Sequence, residues 1–378
     1  MKLDFVSAGA AHGLVSTVAK ERGIEVAGSF GAVGAMLEKF RGGAPCDLLI
    51  LTHAQITELA AGGEVIAETC ADLGAVATSV AVRAEAPTPD VATPDALRAA
   101  LLAADALYFP DPAKATAGIH FAKVIDGLGI RAQVQDRVRT FPNGATAMAA
   151  MAKADGRPIG CTQATEILAT PGIRLVAALP KGCDLETVYT VAVNREAQRP
   201  AEARDFAQDL AGEHTRAARA TAGFVGHAIR AAHPRDAAAV RGVVNATLAE
   251  YGIAADPAGT DRDLADLDAY YFSRGGGFIV AVASDGRIVG SCGIAPLGGG
   301  TWDLRKMYLA PQARGLGLGK RLLARILAFA KSKGATRVEL ETASVLKEAI
   351  SLYANAGFKP IERPLQARRC DKAYALDL

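Results

Sequence analysis

The chain has 378 residues, half of them apolar and 22% charged, too many for one ordinary core and too apolar for a disordered chain. Its net charge of +2 is unevenly spread: from Gly226 onward 21 Lys+Arg stand against 15 Asp+Glu, and before it 21 against 25. Neither part has the dense basic stripe of a nucleic-acid groove, no apolar run nears the ~20 residues of a membrane span, and the start MKLDFVSAGAAHG lacks the apolar stretch of an export signal. A cytoplasmic protein with no nucleic-acid or membrane partner is expected.

In chain order, Leu3–Ser7 reads as a strand opening onto small residues and a helix to Lys20. Glu25–Phe30 is a second strand, and Gly31–Gly34 opens a helix to about Phe40. Asp47–Leu51 is a continuous apolar run, as expected of a parallel strand covered on both faces. Ala106–Phe109, a loop, a helix from Ile119, the Gly/Thr-rich FPNGATAMAAM and PIGCTQATEI stretches and the strand Thr187–Val193 follow. Such strand–turn–helix units predict an open α/β sheet. After the helix Ala201–Leu210 the pattern restarts at HAIRAAHPRD, which sets a boundary near 225 and two domains, 1–225 and 226–378.

In the second domain, Phe278–Ala283 and Arg287–Ile294 are strands joined by the turn Ser284-Asp285-Gly286. A third strand, Trp302–Leu309, leads into Arg314-Gly315-Leu316-Gly317-Leu318-Gly319-Lys320. The helix after it carries Leu318, Leu322, Leu323, Ile326, Leu327 and Ala330 on one face and ends near Gly334. Glycines that let backbone N–H groups point outward at a helix N-terminus make an anion site; the plainer reading is a glycine turn. It is not a Walker loop, because Arg314 and Arg321 occupy the first Gly and the Ser/Thr positions. It is not a dinucleotide fingerprint either, because antiparallel strands precede it. The six cysteines (Cys46, Cys70, Cys161, Cys183, Cys292, Cys370) form no metal-ligand pattern and read as free thiols with no metal.

From LRKMYLAPQARGLGLGKRLL, VELETA and KEAISLYANAGF, the region from about His227 to Leu378 resembles the GNAT acyltransferase family. The resemblance implies a mixed-sheet α+β domain that uses acetyl-CoA to acetylate a small amine. The backbone of Met307, Tyr308 and Leu309 would meet the pantetheine arm, and the amides of Arg314, Gly315, Leu316, Gly317, Leu318, Gly319 and Lys320 would hold the pyrophosphate. Tyr353 would stand at the thioester sulfur as general acid; a core tyrosine is the alternative. The general base is Asp303 or Glu341, unless both are solvated strand residues. Leu346 stands where many relatives have Asn, and Ser344 is a substitute cofactor contact. Asp261–Tyr271 either lines the acceptor site, its acidic and aromatic side chains suiting a cationic amine, or forms an ordinary amphipathic helix.

Through FVSAGAAHGLV, EVAGSFGAVGAMLEKFRGGAPCDLLIL, YFPDPAKATAGIHFAKVI and TVYTVAVNREAQRPAEARDFAQDL, the first part resembles type II periplasmic solute-binding proteins of the molybdate-binding branch. That implies a two-lobed α/β fold with Ser7, Ala8, Gly9, Ala32, Val33, Thr116, Asn143, Thr162 and Tyr189 at a cleft. Ala32 and Val33 replace hydroxyl residues that relatives use on an oxyanion, so molybdate does not fit, and the small ligand, an anion or otherwise, stays open. Two functions are compatible with the whole: an N-acetyltransferase with a regulatory binding domain, or a binding protein whose second half is a non-catalytic CoA sensor. An intact glycine turn together with Tyr353 favours the enzyme.

Overall fold

The computed structural model describes residues 1–378. The chain folds as two units, Met1–Ile56 with Asp72–Gly226, and Thr57–Ala71 with His227–Leu378. Both are α/β. The short stretch Thr57–Ala71 joins the second unit through Arg325, whose guanidinium donates to the Cys70 carbonyl at 3.2 Å and to the Ile229 carbonyl at 3.3 Å, and through the Lys333–Glu68 ion pair.

The first unit is built on strands β1 (Lys2–Ala8), β2 (Glu25–Gly31), β3 (Leu48–Thr52), β4 (Ala71–Arg83), β5 (Leu107–Pro110), β6 (Val138–Phe141), β7 (Ile159–Gln163), β8 (Ile173–Ala178) and β9 (Glu186–Val193). They run in the order β2-β1-β3-β9-β4-β7-β5-β6, with β8 added on β4. β1 pairs in parallel with β2 and β3, and β5 with β6 and β7. Leu48–Leu51 are completely buried, which is why that strand reads as an unbroken apolar run. Helices Val33–Arg41, Thr116–Gly127 and Gly144–Met151 each follow the carboxyl end of a strand. In open α/β sheets that end is where ligands bind.

The second unit is a mixed sheet of β10 (Ala228–Ala231), β11 (Gly277–Val282), β12 (Ile288–Gly298), β13 (Thr301–Leu309), β14 (Arg337–Thr342), β15 (Lys359–Ile361) and β16 (Lys372–Asp377), in the order β10-β11-β12-β13-β14-β16-β15. The helix Leu318–Ser332 covers one face: Phe329 lies over Gly277, and its ring centroid is 6.2 Å from that of Trp302. The helix Ala237–Glu250 covers the other, packing Val240, Val244 and Leu248 with Tyr271 and Phe278. The expected helix Asp261–Tyr271 is broken into a 3-10 turn, Arg262–Leu264, and a short helix, Leu267–Tyr270. Asp266 causes the break, because its carboxylate accepts from the Ala269 N–H and so starts a new helix instead of continuing the old one.

One irregularity in this sheet shapes everything around it. Ser291 pairs with Tyr308 and Gly293 with Arg305, so Cys292 alone opposes Lys306 and Met307. This β-bulge bends β13. It puts Lys306 at φ 55°, the one non-glycine residue of the chain at positive φ, a conformation that costs a side-chain residue roughly 1–3 kcal/mol. The buried Lys306 ammonium then donates to the Thr260 carbonyl and to Asp261 Oδ1, both at 2.8 Å, and lies 3.2 Å from Asp263 Oδ1. Asp261 is held from the other side by both Arg369 nitrogens at 2.5 and 2.7 Å. Burial works against its charge, yet Arg369 and Lys306 keep its carboxyl well below the usual range.

Removing the cation from such a network leaves buried carboxylates undercompensated, which costs about 3–5 kcal/mol. Lys306→Met is therefore expected to lower the urea midpoint of the second unit, read from Trp302, the single tryptophan. An unchanged midpoint would show that the bulge stands without its ion pairs.

Candidate active site and ligand cleft

The bulge opens a site because of what β13 does next. β13 pairs in parallel with β14 only from Thr301 to Leu304. Beyond Leu304 the two strands part, while Tyr308 and Leu309 stay paired with β12. The edge of β13 that faces β14 therefore has no strand partner from Met307 to Leu309, where the Leu309 carbonyl accepts instead from Arg314 Nε at 3.0 Å. The cavity between the strands is lined by Arg305–Tyr308, Glu341–Ala343, Leu346, Ala349, Tyr353, Arg369 and Cys370. It brings Met307, Tyr308, Glu341 and Tyr353 together as the sequence suggests.

At the end of β13 the chain passes through the 3-10 turn Pro311–Ala313 into the glycine turn. Gly315 and Gly317 have φ of 75° and 72°, and a Cβ at either would meet nothing within 4 Å. These glycines serve the left-handed backbone, and the space above them is open. No side chain caps the following helix. Its first intrahelical bond is from the Arg321 N–H to the Gly317 carbonyl, so the N–H groups of Leu318, Gly319 and Lys320 have no partner inside it. Arg314 departs from the expectation. Its N–H donates to the Pro311 carbonyl at 3.2 Å, and its guanidinium binds Glu250 through two bonds of 2.6 and 2.8 Å while stacking on Tyr251. The outward donors thus begin at Gly315, and Lys320 is the exposed cation of the turn.

Tyr353 sits on the helix Lys347–Asn355 and is 4% exposed. Burial pushes its phenol well above the ordinary range, so it holds its proton. Phe358 packs beside it with ring centroids 5.7 Å apart. The two carboxylates proposed as bases differ sharply. Glu341 is committed: it accepts from Arg363 Nη1 at 2.7 Å and from the N–H groups of Gln366 and Ala367 at 2.9 and 2.8 Å, anchoring the segment before β16. Asp303 lies outside the cavity lining; its ion pair is with Arg305 at 3.6 Å, and burial raises its carboxyl to about 6, with Glu341 adding and Arg305, Arg363 and Lys306 opposing. Ser344 is held through its N–H by Asp371 at 2.7 Å, and Leu346 keeps the cavity wall apolar where it stands. Asp261 and Asp263 are not open to an amine: Lys306, Arg369 and, at 3.6 Å, Arg305 hold them, and the Tyr271 hydroxyl donates to Asp263 at 2.6 Å.

In the first unit, Ala8, Gly9, Ala32, Val33, Thr116, Asn143, Thr162 and Tyr189 line one cavity at the strand ends. Ser7 does not: it is completely buried and donates to the Ala8 carbonyl. Asn143 turns its side chain to cap the helix Gly144–Met151, accepting from the Thr146 N–H. Two polar side chains of the wall are not among the sequence candidates, Gln163 and Glu166. The only signal for Glu166 was a lone acid in an otherwise small and apolar stretch, three residues after Gln163. No group of three or more His, Cys, Asp or Glu side chains has the arrangement of a metal site, all six cysteines are free, and no helix is long and apolar enough to cross a membrane.

Comparison with known proteins finds a different family in each part of the chain. Residues 8–225 match the bacterial extracellular solute-binding protein family, and residues 244–358 match the acetyltransferase (GNAT) family. The second region is 40% identical over 136 residues to the uncharacterized N-acetyltransferase YjgM of Escherichia coli (strain K12), covering 35% of this chain and 81% of that protein. An aconitate isomerase from a Pseudomonas species is 27% identical over 170 residues, 45% of this chain but less than two thirds, 63%, of the isomerase. Among solved structures, the periplasmic molybdate-binding protein of Azotobacter vinelandii is 18% identical over 59% of this chain and 98% of its own, with a TM-score of 0.47. The chain belongs to the bacterial solute-binding protein family through its first part and to the GNAT acetyltransferase family through its second.

Proposed function

We propose that the second unit acetylates a small amine with acetyl-CoA, and that the first is a ligand-binding module in the same polypeptide that regulates it. The observation that carries the acetyl-CoA reading is geometric. An unpaired strand edge at Met307–Leu309, an uncapped helix start under open space at Gly315–Lys320, and Tyr353 converge on one splay between β13 and β14. The edge suits an extended amide-bearing arm, and the helix start suits a pyrophosphate. When bound, acetyl-CoA supplies an activated acetyl group on a thioester.

The protein's part is proton management. An alkyl ammonium must lose a proton before its nitrogen can attack, and Asp303, with its carboxyl raised to about 6, is charged and basic at neutral pH. Glu341 is set aside because its lone pairs are already used. Tyr353 keeps its proton through burial and would donate a hydrogen bond to the thiolate that leaves when the amine takes the acetyl group. Acetyl-CoA is a metabolite of the cytoplasm, and we place the enzyme there. For the regulatory role, the chain crosses between the two units at 56/57, 71/72 and 226/227, so a change in either is felt by several covalent links. The similarity to an aconitate isomerase brings organic acids into the set of small molecules to be tried on the first unit.

Steady-state kinetics with a panel of amines tests this. The value of kcat/KM is expected to fall about tenfold per pH unit below a pKa near 6, because there the Asp303 carboxyl is protonated and cannot accept the amine proton. Asp303→Asn should lose about 100-fold at pH 7.5 and abolish that limb. An unchanged limb in the variant would remove Asp303 from the role of base. Tyr353→Phe is expected to lower kcat about 100-fold while leaving acetyl-CoA affinity nearly unchanged. Wild-type binding of acetyl-CoA with no turnover of any amine would point to a CoA sensor instead.

A further inference from the structure

The cavity of the first unit contains a carboxylate of the protein itself. Glu166 is 7% exposed. The Thr162 hydroxyl donates to its Oε2 at 2.6 Å, and the nearby backbone N–H groups of Ala145, Gln163 and Gly144 favour its charged form. Gly144 and Ala145 open the eight-residue helix Gly144–Met151, so Glu166 sits at the positive end of that helix, where a bound anion would otherwise be held. The fit is close: a Cβ at Gly144 would lie 1.9 Å from Glu166 Oε2, and one at Gly9 would lie 2.8 Å from Oε1. No Lys, Arg or His is paired with it, and burial pushes its carboxyl above the ordinary range although Thr162 and the nearby backbone groups oppose the shift.

Two consequences follow for any ligand. A dianion entering the cavity would meet a buried carboxylate, which already occupies the space at this helix end. The second consequence comes from Gln163, which is 3% exposed, lines the same cavity and carries a buried Oε1 with no hydrogen-bond partner. An unmet buried acceptor costs roughly 1–3 kcal/mol, and a ligand that brings an N–H donor recovers it. Elsewhere on the wall the polarity is reversed. The helices Val33–Arg41 and Thr116–Gly127 begin at the cavity with no side-chain cap, leaving N–H groups for an acceptor.

We propose that this cleft is a receptor for a small zwitterion of the amino-acid class, its ammonium group directed at Glu166 and Gln163 and its carboxylate at the helix starts of Val33 and Thr116. Glu166 is then a specificity residue, a resident anion that turns an oxyanion site into an ammonium site. The inference rests on the first unit being a ligand-binding module, and is independent of the acetyl-transfer chemistry.

The test is isothermal calorimetry on the full chain with each of the standard amino acids, and with sulfate, molybdate and trans-aconitate as anion probes. At least one amino acid is expected to bind with a Kd below about 1 mM, and the three anions to give no binding heat at matched concentration. Gln163→Leu, which keeps the size and leaves the Glu166 contacts in place, should weaken that amino acid about tenfold or more. Glu166→Gln should do the same, with circular dichroism reporting whether each variant is folded. Tighter binding of any of the three anions than of every amino acid would overturn the zwitterion assignment while leaving the module reading intact. The absence of any binding would overturn both. An amino acid bound equally by wild type and the folded variants would remove Gln163 and Glu166 from the site.

Discussion

The second unit depends on a buried ammonium group. Lys306 occupies a left-handed position inside a strand, where only a compensating interaction makes a long side chain acceptable, and its contacts with Thr260, Asp261 and Asp263 provide it. Because Lys306 is tied to the segment before β11, and Arg369 ties the segment before β16 to the same Asp261, the far end of β13 is drawn away from β14. The gap between them is the candidate active site. Burial of charge here sets a geometry more than it adds stability, since a buried ion pair gains little net over an apolar replacement.

The same accounting separates the residues available for chemistry from those already used. Arg314, Glu341, Asp261 and Asp263 all carry charge near the site, and all are consumed by partners: Glu250, the Arg363–Ala367 segment, Lys306 with Arg369, and Tyr271 with Arg305. Asp303 and Tyr353 are the two titratable groups whose environment leaves them with work to do, one raised toward neutrality and one held protonated. In the first unit the pattern is inverted. There the protein has placed its own carboxyl group at a helix N-terminus, so that what looks like an anion cradle by backbone geometry is already filled by a side chain of the protein.

Local patterns were legible in the sequence and long-range pairings were not. The strand Trp302–Leu309, observed as Thr301–Leu309, the glycine turn and the helix after it follow from alternation, glycine spacing and a 3.6-residue apolar stripe. The cleft residues of the first unit were implied by the resemblance to solute-binding proteins, and all but Ser7 line one cavity. The bulge at Lys306 left no trace, because a single extra residue in one strand is visible only against its partner. Nor could the sequence show that Arg369 would meet Asp261 across 108 positions, or Arg314 meet Glu250 across 64. Asp261–Tyr271 looked like one amphipathic helix because its period is right, and Asp266 interrupts it by capping.

The central claim is that the splay of β13 from β14, continued into the glycine turn, is an acetyl-CoA site. Calorimetric titration of acetyl-CoA into the wild-type chain and into a Gly317→Glu variant tests it most directly, since that substitution puts a carboxylate at the open helix start where the pyrophosphate would lie. The account predicts a micromolar Kd for the wild type, about −8 kcal/mol, and its loss in the variant. No binding to the wild type, or equal binding to both, would contradict it.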